Sequence, residues 1–531
     1  MSAFILILIS VLSFVFYGVV GQDKGPLLAP AFVLSLAAII FYFGRRLING
    51  AAALKRPEPG RTKRLPVSSL LWLVFLAWGA WLVPDALMTF DAKIRMVFIA
   101  TVIGAYLVWG QELTAFKDNR IIVGWLIFIV MLLAFYGMIV HFKCPERVLW
   151  TERYTSYEGR LMSTYICPNH FAHLMQMLLP FCLALLFIPQ TGIYLKILAA
   201  YSFVVMLPPL FLTESRAGWL GSIACVGTVI GLMALRRSKK LFAVLVVLIP
   251  LCSVLILAGA WRFSETFQRR MQPVVTFLEG QAEEGIGSEA RDFRPQTWMD
   301  TLDMIREKPL TGYGPAAYRY AYPEFRKRWG GQRMVTGHPH NEYLELTADF
   351  GLIGFLLFAA AWLYGSIWML VRSLKAEETR HAFMGFAFLG TVAGTMVHSF
   401  FDFQMHVFPN AMIFALLAAV AAGPLKRSLS TSKAKKPGRG IVNVLQPALL
   451  TAVFVFVLAI GVPLMASSAM SAVADQQAER KSTEAFNSAA ALYRKALKTA
   501  PDNWQAYSGM GRVLHHERRH RLEPDQKVQL A

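Results

Sequence analysis

The sequence predicts an all-α polytopic membrane protein with about 13 transmembrane helices. Of its 531 residues, 56% are hydrophobic and only 16% are charged, whereas a soluble domain carries roughly 25% charged residues. Thirteen apolar runs come close to the length of about 20 residues that spans a bilayer. They lie at 3–20, 27–44, 66–84, 93–110, 120–141, 170–188, 194–212, 217–235, 241–261, 344–371, 382–401, 409–423 and 441–465. The first run follows no basic residue and precedes no small-residue cleavage site, so we interpret it as a span and not as a removed signal peptide.

The distribution of charge predicts the orientation of these spans. The net charge is +20, from 53 Lys and Arg against 33 Asp and Glu, but the basic residues gather in alternate loops and do not suggest a nucleic-acid partner. Short loops rich in Lys and Arg mark the cytoplasmic side. The pattern predicts a cytoplasmic N-terminus, with loops 142–169 and 262–343 and the C-terminal tail outside. Lys93 and Arg95 fall on the wrong side and are the local exception.

The same reading divides the chain into five parts. Residues 1–141 form N-terminal scaffold helices, and 142–423 form a membrane core that includes the external loop 262–343. A basic linker, 424–440, precedes the last span, 441–465. Residues 466–531 form an external tail whose two amphipathic helices meet at Pro501-Asp502-Asn503 and resemble a tetratricopeptide-repeat junction. Because a repeat array needs about three units, a plain helical hairpin and a module that binds a protein partner both stay open.

Two cysteines bracket the first external loop. Cys144 and Cys167 could pair in an oxidising compartment, so we predict a disulfide between them. Cys182, Cys225 and Cys252 lie within spans as small apolar residues.

One polar stretch, Gly337–Leu346, opens directly into an apolar helix. Pro339 disfavours helix at the residue before it, so the regular helix is predicted to begin near His340 and Asn341. An ionisable cluster at the edge of a membrane is a functional hypothesis. The alternative is an interfacial histidine pair that only caps the helix.

A second polar element is the short turn Thr213–Arg216 between two apolar runs. An Arg at the bilayer centre costs roughly 2.5–3.5 kcal/mol, so Arg216 is expected to snorkel, to pair with Glu214 or to face an anionic ligand. Small neighbours (Ser215, Ala217 and Gly218) leave room for a bound group.

Further along the chain, residues 294–307 are predicted to form an amphipathic helix that ends at Lys308-Pro309. The turn-rich segment that follows contains Gly312 and Gly314, which would let the backbone approach a ligand closely. Earlier in the core, Pro168 and Asn169 predict a helix start with Asn169 as its cap.

His398, Asp402 and His406 are spaced at i, i+4 and i+8, which would place them on one helix face like metal ligands. We favour a polar, hydrogen-bonded helix end for these residues over a metal site.

If the topology holds, Arg216, Arg291 or Arg294, and His340 meet on the external side. Guanidinium groups bind phosphate through a planar fork and stay charged. A histidine, with an ordinary pKa near ~6.5, can accept a proton at neutral pH. Two guanidiniums opposite one imidazole therefore suit transfer of a group from a phosphorylated donor.

These motifs together resemble the bacterial O-antigen ligase family. The resemblance lies in His340-Asn341 followed by Gly351-Leu352-Ile353-Gly354, in Arg216-x-x-x-Leu220, in Arg294-x-x-x-Trp298 with Pro309–Gly314, and in Cys167–Ala172. It implies a metal-independent GT-C-type glycosyltransferase without cofactors, located in the bacterial inner membrane. Such an enzyme moves a glycan from undecaprenyl diphosphate to an acceptor hydroxyl with inversion, here most simply that of lipid A-core.

Carried over by position, the resemblance assigns His340 to acceptor activation and Arg216 and Arg294 to the pyrophosphate, with Arg291 as a competitor for the second role. Other residues are expected to support the site, namely Asn341, His338, Glu214, Asn169 and Tyr313. A polysaccharide polymerase and a protein O-oligosaccharyltransferase are the alternatives within the family. A transporter of lipid-linked glycan is the alternative from another class, although the sequence has no internal repeat of the kind transporters use.

Overall fold

The protein is described from a computed structural model. The structure describes residues 1–16, 29–55, 67–113, 119–152, 157, 159–278, 293–328, 336–431, 442–480 and 482–521. Within these residues the chain forms α-helices and one short antiparallel strand pair, β1 (Arg147–Val148) and β2 (Thr151–Glu152). The helices of the first half are α1 (Ser2–Val15), α2 (Ala29–Lys55), α3 (Val67–Leu82), α4 (Thr89–Glu112), α5 (Arg120–Lys143), α6 (Pro168–Phe187), α7 (Ile193–Leu212), α8 (Arg216–Arg237) and α9 (Lys239–Phe263). Those of the second half are α10 (Glu265–Leu278), α11 (Arg294–Glu307), α12 (Tyr318–Phe325), α13 (Glu342–Leu374), α14 (Thr379–Ser399), α15 (Phe408–Thr431), α16 (Val442–Ala478), α17 (Thr483–Thr499) and α18 (Trp504–Arg521).

Every apolar run predicted to span the membrane coincides with one of these helices. Eleven helices among the described residues are long and apolar enough to cross a bilayer, and the apolar parts of α1 and α3 are shorter. The first helix ends at Val15, before the predicted residue 20. The protein is therefore an all-α polytopic membrane protein, as composition and run length predict.

Successive spans place their ends alternately on two faces of the bundle. We call the face that carries the loop between α9 and α13 the loop face. On the other face, the Arg236 guanidinium donates to the backbone carbonyls of Ser373 (3.1 Å) and Ala376 (2.7 Å). On the loop face, Lys93 forms an ion pair of 2.6 Å with Asp502 in the C-terminal tail. The lysine that broke the charge pattern thus has its partner on the loop face.

The long helix α13 is broken at Gly351, whose φ is +68°. The break leaves backbone carbonyls without their helical partners, and the segment 309–314 supplies new donors: Tyr313 N–H donates to Ala348 O and Gly314 N–H to Asp349 O, both at 2.9 Å. A side chain at Gly312 would lie 2.5 Å from Ala348 O. Gly312 therefore serves close packing against α13, and the prediction that it brings backbone to a ligand is wrong.

The loop between α9 and α13 has its own small core. Helix α11 has the predicted bounds, and its Met304 packs with Tyr318, Tyr322 and Phe325. At the edge of this core the partly exposed Arg328 guanidinium pairs with the fully buried Asp300 at 2.5 Å. The loop is thus a folded cap on the bundle and not an extended connection.

The C-terminal tail is a helical hairpin that packs on the last span. Helix α16 runs past the predicted end of the span to Ala478, and its Ser467 accepts from the Asn503 side chain at 2.8 Å. The hairpin also contacts the N-terminal scaffold helices, because the Trp504 indole donates to Asp91 in α4 at 2.8 Å. Its relation to tetratricopeptide repeats stays a prediction.

The predicted disulfide is absent, since Cys144 and Cys167 are both free thiols. Cys167 directly precedes α6 and is buried. Burial is the main reason why the pKa of its thiol is raised to about 11. A thiol with so little thiolate is a poor partner for disulfide exchange. Two cysteines at the borders of one loop were therefore not enough to predict pairing.

Candidate active site

The candidate base, His340, is the last residue of the loop before the cap of α13. Asn341 caps that helix, because its Oδ1 accepts from the backbone N–H groups of Tyr343 and Leu344 at 3.1 Å each. His340 has a left-handed backbone with φ of +50°, a conformation that costs a non-glycine residue about 1–3 kcal/mol. Its side chain is 22% exposed, and its Nδ1 lies 3.0 Å from Asp402 Oδ1. The prediction of a helix start next to His340 is confirmed.

Asp402 is the residue that orients His340. Its carboxylate is fully buried and also accepts the backbone N–H of Phe403 at 2.9 Å and the amide of Asn169. Burial alone would raise the pKa of Asp402, but the hydrogen bond and charge of His340, with the charge of Arg294, hold it well below its usual range. An ionised Asp402 accepts from Nδ1–H of the imidazole, which leaves Nε2 as the basic nitrogen.

Asn169 links Asp402 to Arg160. Its side-chain nitrogen donates to Asp402, and its oxygen accepts from the Arg160 guanidinium at 2.7 Å. Asn169 lies inside the first turn of α6, and the capping position belongs to Cys167. The prediction of a helix start is confirmed, but Asn169 does not cap the helix because its side chain turns toward the two charged groups.

Arg160 continues this chain of hydrogen bonds to the turn that contains Arg216. Its Nε donates to the carbonyl of Thr213 at 2.8 Å. Arg216 is the first residue of α8, and Ser215 caps that helix by accepting from Gly218 N–H at 3.1 Å. Three side chains, those of Arg160, Asn169 and Asp402, therefore connect the Arg216 turn to His340.

Glu214, in the same turn, pairs with arginines of α10. Its carboxylate lies 3.0 Å from Arg269 and 3.6 Å from Arg270, and its side chain is 8% exposed. Like His340, Glu214 has a left-handed backbone, with φ of +50°. The pairing fixes α10 over the start of α8 and brings Arg270 to the site.

Arg294 reaches the site through the first turn of α11. One turn further along the same face, the Trp298 indole donates to the carbonyl of Pro339 at 2.9 Å, which ties the helix to the His340 loop. The Phe293 ring contacts both Arg294 and His340. The Arg294 guanidinium lies 5.9 Å and the His340 ring 5.2 Å from the centroid of the Phe293 ring. Arg291 lies outside the described residues, so the structure gives it no position.

The charges of three guanidinium groups, those of Arg160, Arg216 and Arg294, act on Arg270 at this site. The pKa of Arg270 is lowered to about 10, first by burial and then by the charges of Arg160 and Arg216, with a smaller effect of Arg294 and partial relief from Glu214. Burial also lowers the pKa of Arg160. With Arg269, which pairs with Glu214, five cations stand against the two carboxylates of Glu214 and Asp402. Such a surplus of positive charge suits a multiply charged anion.

Two residues that were predicted to support the site, His338 and Tyr313, lie beside other groups. His338 stacks on Phe403 with 3.9 Å between ring centroids, and its Nδ1 lies 2.8 Å from Glu345 Oε1. Tyr313 packs on Phe325 in the core of the loop, with Lys308 over its ring. Tyr313 thus belongs to the docking of the loop on α13.

The row of His398, Asp402 and His406 does not share one helix face, because α14 ends at Ser399. His398 hydrogen-bonds Gln176 inside the bundle at 2.9 Å, while Asp402 bonds His340. The favoured interpretation of a polar, hydrogen-bonded helix end describes Asp402. A shared metal site of these three residues is wrong.

Sequence reasoning missed two residues of the site, Arg160 and Arg270, and the role of a third, Asp402. Each is brought to the site by contacts far apart in the chain, such as the 62 positions between His340 and Asp402. For Arg160, the only available signal was its charge, in the loop that leads to the predicted start of α6.

The bundle and its site define a class: a polytopic membrane protein with a His–Asp pair beside clustered guanidinium groups on one face. Residues 201–359 match the protein family described as O-antigen ligase. The resemblance is confirmed over this segment, and the chain carries an O-antigen-ligase-like domain. The apolar helices and this match agree with a multi-pass protein of the inner membrane. The matched segment contains Arg216, Arg294 and His340.

One curated relative is an uncharacterized protein of Haemophilus influenzae. It is 28% identical over 153 residues, which cover 27% of this chain and 36% of the relative. The match thus spans about a third of that protein's length.

Proposed function

We propose that the protein transfers a glycan from an undecaprenyl-diphosphate carrier to a hydroxyl of an acceptor, most simply lipid A-core, at the periplasmic face of the inner membrane. The observation that supports this is the continuous chain of hydrogen bonds from the Arg216 turn through Arg160, Asn169 and Asp402 to His340. In this proposal, that chain keeps the base His340 close to the arginines that bind the donor.

In this mechanism the guanidiniums hold the diphosphate of the donor. Arg216 and Arg294 come from α8 and α11, and Arg160 and Arg270 add charge from the neighbouring loop and α10. Fixed cations stabilise the charge that grows on the departing diphosphate, and they do so best in a site shielded from water.

His340 accepts the proton of the acceptor hydroxyl at Nε2 while Asp402 holds Nδ1–H. The acceptor oxygen forms a bond to the anomeric carbon, and the bond from that carbon to the phosphate oxygen breaks. The electron pair of the broken bond leaves with undecaprenyl diphosphate, and the configuration at the carbon inverts. Proton transfer to a positioned base contributes roughly 10²–10⁴-fold to such a step.

The test is transfer by the purified protein in liposomes that contain undecaprenyl-diphosphate-linked glycan, with lipid A-core, a lipid-linked polysaccharide or a peptide as acceptor. We expect mass spectrometry to detect glycosylated lipid A-core with wild-type protein and none with His340→Ala or Arg216→Ala. Product on the polysaccharide or the peptide would replace the ligase assignment with a polymerase or a protein O-oligosaccharyltransferase. Movement of the lipid across the bilayer without a change of bonds would contradict glycan transfer.

A further inference from the structure

Three side chains of the kinds that bind metals converge beside the His340–Asp402 pair. They are His338 in the loop, Glu345 in the first turn of α13 and His406 in the short 3-10 helix Gln404–His406. Their ligand atoms all lie within 4.8 Å of one another. His338 Nδ1 is 2.8 Å and His406 Nδ1 is 3.3 Å from the same oxygen, Glu345 Oε1. None of the three is needed for the transfer mechanism above.

Hydrogen bonds leave this cluster incompletely satisfied. The Glu345 side chain is only 3% exposed, and its Oε2 is buried with no hydrogen-bond partner among the described residues. His406 Nδ1 makes only a long contact, of 3.3 Å, with the same carboxylate. Buried polar atoms without partners are rare in folded proteins, and binding of an ion is one of their recognised causes.

The chemistry of the three ligands points to a transition metal. Imidazole nitrogen and carboxylate oxygen are ligands of Zn²⁺ at about 2.0–2.2 Å, so two ligands of one tetrahedral ion lie about 3.3 Å apart. The distance from His406 Nδ1 to Glu345 Oε1 already has this value. The distance from His338 Nδ1 to the same oxygen is somewhat shorter, at 2.8 Å. The side chains of His338 and His406 are 29% and 22% exposed, which leaves a path for an ion from the loop face.

We propose that His338, Glu345 and His406 form a binding site for a divalent transition metal, Zn²⁺ foremost. The ion clips the loop that contains His340 to the segment that contains Asp402, because His338 and His406 lie two and four residues from those groups. It is a positioning element that helps to hold the left-handed backbone at His340, and the transfer step does not pass through it. Occupancy of the site is independent of the proposed transfer, and only this positioning role depends on it.

The test is the metal content of full-length protein purified in detergent with a tag that contains no histidine. After incubation with Zn²⁺ and removal of the excess, we expect about one equivalent in wild-type protein by mass spectrometry of the metal. Glu345→Gln and His406→Ala should retain less than a tenth of that amount. His515→Ala, which removes an exposed histidine of α18, is the matched control and should bind like wild type.

Two further readouts separate a built site from adventitious binding. Zn²⁺ should raise the thermal midpoint of wild-type protein but not that of Glu345→Gln, and Co²⁺ should give the ligand-field bands of a tetrahedral site only with wild type and the control. Wild-type protein without bound metal, or Glu345→Gln and His406→Ala proteins that retain as much metal as wild type, would overturn the proposal whatever the transfer assay gives.

Discussion

Replacing Asp402 with Asn tests how His340 becomes a base. The carboxylate accepts three N–H groups, from His340, Asn169 and the backbone of Phe403. An asparagine at this position must present its NH₂ group to one of the first two. If it faces His340, Nδ1 becomes the acceptor and the proton moves to Nε2, which can then no longer take a proton from the acceptor hydroxyl.

The size of the effect follows from these contacts. A hydrogen bond between charged groups is worth about 1.5–3 kcal/mol, which converts to a rate loss of roughly 10–100-fold at about 1.4 kcal/mol per factor of ten. Loss of the basic nitrogen removes the contribution of general-base catalysis, roughly 10²–10⁴-fold. We therefore expect kcat to fall by at least about 10-fold from the lost charge alone, and by about 10²–10⁴-fold if the NH₂ group faces His340, with little change in KM for the donor because the arginines are untouched.

The assay is transfer in liposomes with the donor varied, combined with thermal unfolding of each variant in detergent. Asp91→Asn is the matched control, because Asp91 is also a carboxylate on the loop face and, among the described residues, it accepts side-chain hydrogen bonds from Trp504 and Tyr320. An amide oxygen can replace it there, so its activity should stay close to wild type. A folded Asp402→Asn protein with wild-type kcat would refute the orienting role.

Three further outcomes follow from the structure. Arg294→Ala should lower transfer by about 10–100-fold and more than Arg291→Ala, because α11 is tied to the His340 loop at Pro339; equal losses would contradict this. Gly351→Ala should destabilise the protein by more than about 3 kcal/mol, since φ is +68° and the new Cβ would lie 2.0 Å from a backbone oxygen. In the same thermal assay Gly365→Ala, with nothing within 4 Å, should be neutral or stabilising. Maleimide at pH 8 should leave Cys167 unmodified in folded protein, because burial raises its pKa to about 11; rapid labelling read by mass spectrometry would contradict that.

Most of the fold could be predicted from composition, because a bilayer demands long apolar helices and satisfies their backbone internally. Helix α11 was predictable for a related reason, since its apolar face repeats with the helical period. The extent of α16 was not, because the residues beyond its membrane part are Ala- and Ser-rich and are held by packing against the hairpin, with Asn503 bonded to Ser467 and Ser471.

The site could be predicted only in part. His340, Arg216 and Arg294 stand next to prolines, caps and short turns, which are local signals. Asp402 and Arg160 are brought in by partners far away in sequence, and periodicity suggested the wrong neighbours for Asp402. The glycines at 312 and 351 likewise pack on each other's segments, which no local pattern reveals.

The central claim is that one pocket on the loop face holds both the diphosphate and the base. A cryo-electron microscopy structure of the protein with undecaprenyl diphosphate bound in a nanodisc tests it most directly. The account predicts density for the diphosphate between the guanidiniums of Arg216 and Arg294, with Nε2 of His340 facing the open side of the phosphate that carries the glycan in the donor. Density for the diphosphate at the opposite face of the bundle, or on the loop face without contact to either arginine, would contradict it.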